Sequence, residues 1–179
     1  DLGAFAASTF KRGIDFYNIP TTLLAMVDAS VGGKTGFNFN GLKNEIGVFN
    51  EARTVIISTD FLRTLDSANI CSGYAEMLKH ALINNIEMLA EHINYDILTP
   101  DLQQLKQMIA ESINVKEHIV TEDPHEQGIR KALNLGHTIG HAFESMSLKT
   151  AQPLLHGYAV AFGMVCELYL SCIKCNFPT

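Results

Sequence analysis

Residues 130–145 read RKALNLGHTIGHAFES, and the fold follows from how that stretch is wound. On a single helix over 129–146, Arg130, Asn134, His137 and His141 recur at steps of four, three and four and share one face. Leu133, Leu135, Gly136, Ile139, Gly140, Ala142 and Phe143 fill much of the remainder with apolar or small side chains. A surface helix carries the reverse pattern, a broad charged face. A narrow polar stripe on a helix that otherwise favours burial needs partners, and a metal ion or an anionic substrate would satisfy all four groups together. A surface helix with two incidental histidines is the alternative, and the arginine, asparagine and glycines that extend the pattern weigh against it.

A catalytic metal takes about three protein ligands and keeps one position open. His137 and His141 supply one or two. His156, in Leu155-His156-Gly157 at the start of the last apolar helix, is a further candidate. So is Glu76, which lies in an apolar helical context where a carboxylate needs a partner. Spacing alone does not choose among Glu76, His80, His137, His141 and His156. Two histidines and a glutamate suit Zn²⁺, and the same ligands accept Co²⁺.

Outward from this stretch the chain divides near residue 60. Within residues 1–60, Phe16–Ile19 and Thr54–Ser58 have the β-branched and aromatic content of strands. Pro20 ends the first, with Thr21 or Thr22 as a helix cap. Residues 31–44 hold four glycines and read as a long loop. The segment Asp28 to Thr35 ends like a phosphate-binding loop, but the required first glycine is Asp28. What is left is a glycine-rich turn presenting Lys34, followed by Lys43-Asn44 in a polar turn. Residues 61–179 read as helical, with helices near 72–84, 129–146 and 157–174. Another is opened by Pro100-Asp101, with Leu102, Leu105, Ile109, Ile113 and Val120 on its apolar face. The expected fold class is mainly α with a short α/β N-terminal portion.

Composition narrows the function classes. Apolar residues make up 47% and charged residues 18% of the 179, which excludes disorder. A net charge of -6 with dispersed Lys and Arg argues against a nucleic-acid partner. No run approaches the roughly 20 apolar residues that span a bilayer, so no membrane partner is expected. The longest run, Ala159 to Cys166, stops at Glu167 and reads as a buried helix. The four cysteines, including the single Cys172-x-x-Cys175 pair, read as reduced thiols in a cytoplasmic protein. The chain opens at Asp1 directly in structured sequence and reads as a fragment.

Five segments carry a family resemblance: PTTLLAMVDASVGGKTG at 20–36, LKNEIG at 42–47, GYAEMLKHALI at 73–83, LNLGHTIGHAFE at 133–144 and LLHGYAVAFGM at 154–164. Together, in this order and spacing, they resemble the 3-dehydroquinate synthase family. The resemblance implies a remnant of a Rossmann-like α/β domain (1–60) and an all-helical metal domain (61–179). It implies Glu76, His137 and His156 as metal ligands, with His141 left in the substrate pocket. It places NAD at Asp1, Thr21, Thr22, Lys34, Lys43, Phe61, Leu62, Arg63 and Thr64. Catalytic positions would be Asp28, Lys34, Asn44, Lys79 and His141, and substrate-binding positions Arg12, Lys116, Arg130 and Asn134. Arg12 would reach a neighbouring subunit's site, which implies a homodimer.

The implied reaction converts 3-deoxy-D-arabino-heptulosonate 7-phosphate to 3-dehydroquinate and phosphate, a step of the shikimate pathway to the aromatic amino acids. It runs by transient oxidation with NAD, phosphate elimination, re-reduction and intramolecular aldol closure, with His141 as a proton relay. The alternatives are another zinc- and NAD-dependent sugar-phosphate cyclase, or a non-catalytic helical metal-binding module. A structural zinc site would need none of Lys34, Lys43, Asn44, Lys79 and Arg130. Tyr158 stands where the family commonly has Glu, with tuning the expected effect. The fragment alone is expected to bind NAD weakly and not to turn over.

Overall fold

Thr22 starts the segment on which the rest of the chain packs. Its hydroxyl accepts from the Ala25 N–H at 3.2 Å, and a π-helical turn follows over Ala25–Ala29. The computed structural model describes residues 2–40, 42–148 and 150–178, without the side chains of Asn38, Leu42 and Lys43. Asp1 and the Lys43 side chain, both expected beside NAD, therefore lie outside the described residues.

Helix α1 (Leu2–Thr9) runs into a 3₁₀ turn, Phe10–Arg12. Strands β1 (Tyr17–Asn18) and β4 (Thr54–Val55) pair in parallel and are shorter than the sequence suggested. Residues 31–44 are not a loop. They feed β2 (Lys34–Phe39), which pairs antiparallel with β3 (Leu42–Phe49) and sets Gly36 opposite Gly47. The described side chains of this hairpin are mostly exposed, so no buried face imposes the alternation that announces a strand. A Cβ on Gly36 would stand 3.0 Å from the Ile46 carbonyl, which explains a glycine where the strands approach closely.

The helical part comprises α2 (Ser67–Asn84), α3 (Ile86–Asn94), α4 (Leu102–Glu122), α5 (His137–Ser147) and α6 (His156–Cys175). Helix α2 begins earlier than expected because the Asp66 carboxylate accepts from the Asn69 N–H at 2.9 Å. Asp101 caps α4, as its position after a proline suggested. Leu23, Met26 and Val27 pack against Ile70, Tyr74 and Met77 of α2 and Leu105, Met108 and Ile109 of α4, forming the main core.

The expected single helix over 129–146 is broken. Ile129–Asn134 is a 3₁₀ turn, and α5 starts only after Gly136, which sits at φ 81. A Cβ there would meet Met164 Cγ at 2.6 Å and the Val160 carbonyl at 2.7 Å, so both the left-handed backbone and the close helix contact call for glycine.

Helix α6 also departs from expectation. It is long and apolar enough to cross a membrane by length and composition. Gly157, Val160, Gly163 and Met164 are buried, but Phe162, Val165, Tyr169, Leu170 and Ile173 are exposed. The run read as a buried helix is thus buried on one face only. All four cysteines are free thiols among the described residues.

Candidate active site

Two close helix contacts bring the stripe residues to one place. The Gly157 N–H, at the start of α6, donates to Ser72 Oγ on α2 at 3.0 Å. Any side chain at Gly157 would collide with the Ser72 backbone. Ser72 lies one helical turn before Glu76, so this contact sets His156 beside that carboxylate. Helices α5 and α6 approach through Gly140 and Gly163: a Cβ on Gly140 would stand 2.7 Å from the Ala159 carbonyl. Glu167 of α6 accepts from the N–H groups of Gly136 at 2.7 Å and Ile139 at 3.2 Å. It caps α5 where orphan donors and the helix dipole favour a carboxylate.

Glu76 is fully buried. One oxygen pairs with Lys79. The other, Oε1, lies 3.6 Å from His137 Nε2 and 3.5 Å from His156 Nε2, with no hydrogen-bond partner among the described residues. Ligands held about 2.0–2.1 Å from a tetrahedral Zn²⁺ stand roughly 3.3–3.4 Å apart, so these separations fit a shared metal better than direct hydrogen bonds. Two other three-residue sets are close enough for a cation: His141, Glu144 and His156, and Asp28, Glu76 and His80. In the latter, Asp28 is held by Lys116 at 2.6 Å, and His80 Nδ1 is engaged by Ser112 at 2.7 Å. Glu76, His137 and His156 combine a buried carboxylate oxygen that has no hydrogen-bond partner among the described residues with two histidine nitrogens at near-tetrahedral spacing, and they form the candidate metal set.

The remaining wall is basic. Lys116 Nζ reaches both the carboxylate and the backbone carbonyl of Asp28 at 2.6 Å. Burial would raise the Asp28 pKa, but Lys116 and Lys79 prevail and hold it far below the ordinary range. Arg130 is buried, donating to the carbonyls of Pro124 at 2.7 Å and Gly32 at 3.0 Å. Gly32, at φ 95, leaves room for that guanidinium, since a Cβ would stand 2.9 Å from its Nη2. The glycine-rich turn therefore seats an arginine. Lys34 and Asn134 both bond the Glu126 carboxylate. Burial and Asp28 would raise Glu76, yet Lys79, His156 and His137 bring it down to about 2. Burial first, and Lys79 second, depress His80 to about 3. Burial also lowers His137.

All of these ionisable groups except the fully buried Glu76 and His80 line one cavity of about 630 Å³, the size of a small-molecule site. Asp28, Lys34, Asn44, Lys79, Lys116, Arg130, Asn134, His137, His141 and His156 all line it. Thr21, Thr22 and Phe61–Thr64 do not, among the described residues. Thr21 and Phe61 are exposed, Leu62 belongs to the core, and Arg63 pairs with Asp60 at 3.1 Å. Arg12 is exposed at φ 68.

Residues 1–72 match the family model for the N-terminal part of 3-dehydroquinate synthase, and residues 73–178 match that for the C-terminal part. The chain belongs to the 3-dehydroquinate synthase family. It is 61% identical over 178 residues to the 3-dehydroquinate synthase of Parabacteroides distasonis, covering 99% of this chain and 50% of that protein. It is 44% identical to that of Thermoanaerobacter pseudethanolicus, covering 96% and 49%. The chain spans about half the length of the curated relatives it matches. Among solved structures, it resembles 2-deoxy-scyllo-inosose synthase complexed with carbaglucose-6-phosphate, NAD⁺ and Co²⁺, at TM-score 0.89 and 28% identity, over 99% of this chain and 49% of that one. It also resembles 2-epi-5-epi-valiolone synthase of Streptomyces hygroscopicus subsp. jinggangensis with NAD⁺ and Zn²⁺ bound, at TM-score 0.81 and 28% identity, over 97% and 48%.

The family's dehydroquinate synthase-like fold accommodates the break at Gly136 without losing the stripe. Two site residues escaped the sequence reading. Glu126 lies four before Arg130, and Glu144 three after His141, so the same spacing extended in both directions reaches both.

Proposed function

We propose that the chain forms the metal- and phosphate-handling part of a 3-dehydroquinate synthase, converting 3-deoxy-D-arabino-heptulosonate 7-phosphate to 3-dehydroquinate and phosphate. One observation carries the reading: buried Glu76 lies within ligand range of His137 and His156, and those two histidines line the cavity that also collects Lys34, Lys79, Lys116 and Arg130. A structural metal site needs no such cationic wall, and a substrate bearing both a carboxylate and a phosphate does.

When bound, Zn²⁺ or Co²⁺ supplies Lewis acidity toward a substrate hydroxyl, and NAD accepts and returns hydride. The chain's residues do the rest. Glu76, His137 and His156 hold the metal. Lys116 and Lys79 keep the Asp28 carboxylate charged at the cavity wall. Arg130, Asn134 and Lys34 orient the anionic ends of the substrate, and Asn44 adds a polar contact. His141, on the same cavity with its ring 5.2 Å from that of His137 and 5.9 Å from that of His156, would relay a proton to the leaving phosphate. NAD would be held in part by Asp1, Thr21, Thr22, Lys34, Lys43 and Phe61–Thr64. The reading carries with it a homodimer in which Arg12 completes the neighbour's site, and a cytoplasmic setting without nucleic-acid or membrane partners.

The likeness to 2-deoxy-scyllo-inosose synthase favours a second reading, a cyclase acting on a different sugar phosphate. Mass analysis separates the two. The polypeptide extended to the family's full length, given Zn²⁺, NAD and the heptulosonate phosphate, should release phosphate and a product of dehydroquinate mass, and His137→Ala should abolish both. Turnover of another sugar phosphate alone would favour the second reading.

A further inference from the structure

We propose that Glu144 is the positioning residue for the metal ligand His156, fixing its tautomer and ring orientation. The proposal rests on the metal-centre reading above and adds to it a residue with no role assigned so far. His156 is approached from both sides. Its Nε2 lies 3.5 Å from Glu76 Oε1, and its Nδ1 lies 3.3 Å from Glu144 Oε2. His137 follows the same arrangement, with Nε2 toward Glu76 Oε1 at 3.6 Å and Nδ1 at 3.3 Å from the Leu135 carbonyl. Each imidazole thus has an oxygen 3.3 Å from Nδ1 able to accept a proton there, which would leave Nε2 free for a metal shared with Glu76 Oε1. A histidine ligand anchored through its second nitrogen is the usual way a protein holds the ring in line with its metal.

Local packing explains why a glutamate at this position can do it. Glu144 lies one turn beyond Gly140 on α5, where Gly140 and Gly163 allow the helix backbones to approach. Across a wider separation the side chain would not reach the first residue of α6. Glu144 is also largely shielded, with 18% of its side chain exposed. Its carboxylate and the rings of His141 and His156 offer ligand atoms all within 4.8 Å of one another. One carboxylate therefore lies close to both the metal ligand and the proposed proton relay.

The test compares wild type, Glu144→Gln and His137→Ala by Zn²⁺ competition against a chromophoric chelator. In parallel, ¹H–¹⁵N correlation spectra of the histidine rings are recorded on the metal-free protein. Glu144→Gln should weaken Zn²⁺ binding by about 10–100-fold and shift His156 away from its Nδ1–H tautomer, with unchanged far-UV circular dichroism. If Glu144→Gln does not fold, Glu144→Asp, which withdraws the carboxylate by one methylene, takes its place with the same expectation. Wild-type affinity and tautomer in the folded Glu144 variant, with binding lost in His137→Ala, would overturn the positioning role alone. Undiminished binding in His137→Ala would overturn the metal-centre reading as well.

Discussion

Glu167 and Gly136 are joined across two helices: the α6 carboxylate accepts the Gly136 N–H at 2.7 Å, at the point where the polar stripe changes from a 3₁₀ turn to α5. The carboxylate that ends an apolar run in the sequence is also what starts the histidine-bearing helix. Replacing Glu167 by Ala removes the side-chain acceptors of two backbone N–H groups and should destabilise the fold by about 1–2 kcal/mol, the scale of a lost helix cap. Urea unfolding of metal-free protein measures it, and an unchanged midpoint would mean that water replaces the cap at no cost.

Gly157→Ala should do more damage than its size suggests. The added methyl points into the Ser72 backbone, so α6 must shift away from α2 and carry His156 from Glu76. Overpacking of this kind costs about 1–3 kcal/mol. The distinguishing sign is a loss of Zn²⁺ affinity larger than the loss of stability, read by titrating the folded variant.

Glu126 carries negative charge into the basic wall, bonded by Lys34 and Asn134 with its backbone at φ 58. Burial works against its ionisation, but Lys34 and Asn134 hold the carboxyl below its usual range. Glu126→Gln should leave Lys34 and Arg130 less compensated and tighten inorganic phosphate binding by about 3–10-fold, the range of a partly screened charge interaction. Calorimetry with phosphate checks this. Weaker binding in the variant would instead show that Glu126 orders the lysine for its ligand.

Acid should destabilise the metal-free protein well above the carboxylate range. Burial, the main influence, depresses His80 to about 3 and lowers His137, while the unfolded chain takes up these protons near pH 6.5. Between those values the unfolded state binds more protons, so stability is full above about pH 6.5 and falls as pH drops toward 3. Glu76, brought down to about 2 from 4.5, adds to the loss below pH 4.5. Urea midpoints taken from pH 7.5 to 4 in EDTA should decline steadily, and His80→Asn should flatten part of the slope. A rise on acidification would mean that these histidines are charged in the fold.

The stripe was legible in the sequence because its information lies in side-chain type at near-helical spacing. That spacing survives the break: Arg130, Asn134, His137 and His141 still face one cavity, although two different helical segments carry them. The break was not legible, since a glycine inside an apolar helix and a glycine at φ 81 read alike until Met164 is seen against it. The hairpin of β2 and β3 was missed for a related reason. Its described side chains are mostly solvated, and periodicity records burial. Spacing left His80 and His156 open as ligands and the family resemblance preferred His156; the packing adds that Ser112 engages His80 at 2.7 Å. The α6 surface was misjudged because hydropathy along a chain does not distinguish a buried face from an open one.

The crossing of α5 and α6 also divides the cavity mechanically. His137, His141 and His156 ride on two helices whose backbones touch at Gly140 and Gly163, and backbone contact leaves no side-chain cushion to yield. Opposite them, Lys34 and Asn44 sit on a hairpin with little buried area. Local opening falls where buried contacts are sparse. Breathing of the pocket therefore belongs to the hairpin, while the helices hold the chemistry still: one jaw is an anvil and the other a hinge.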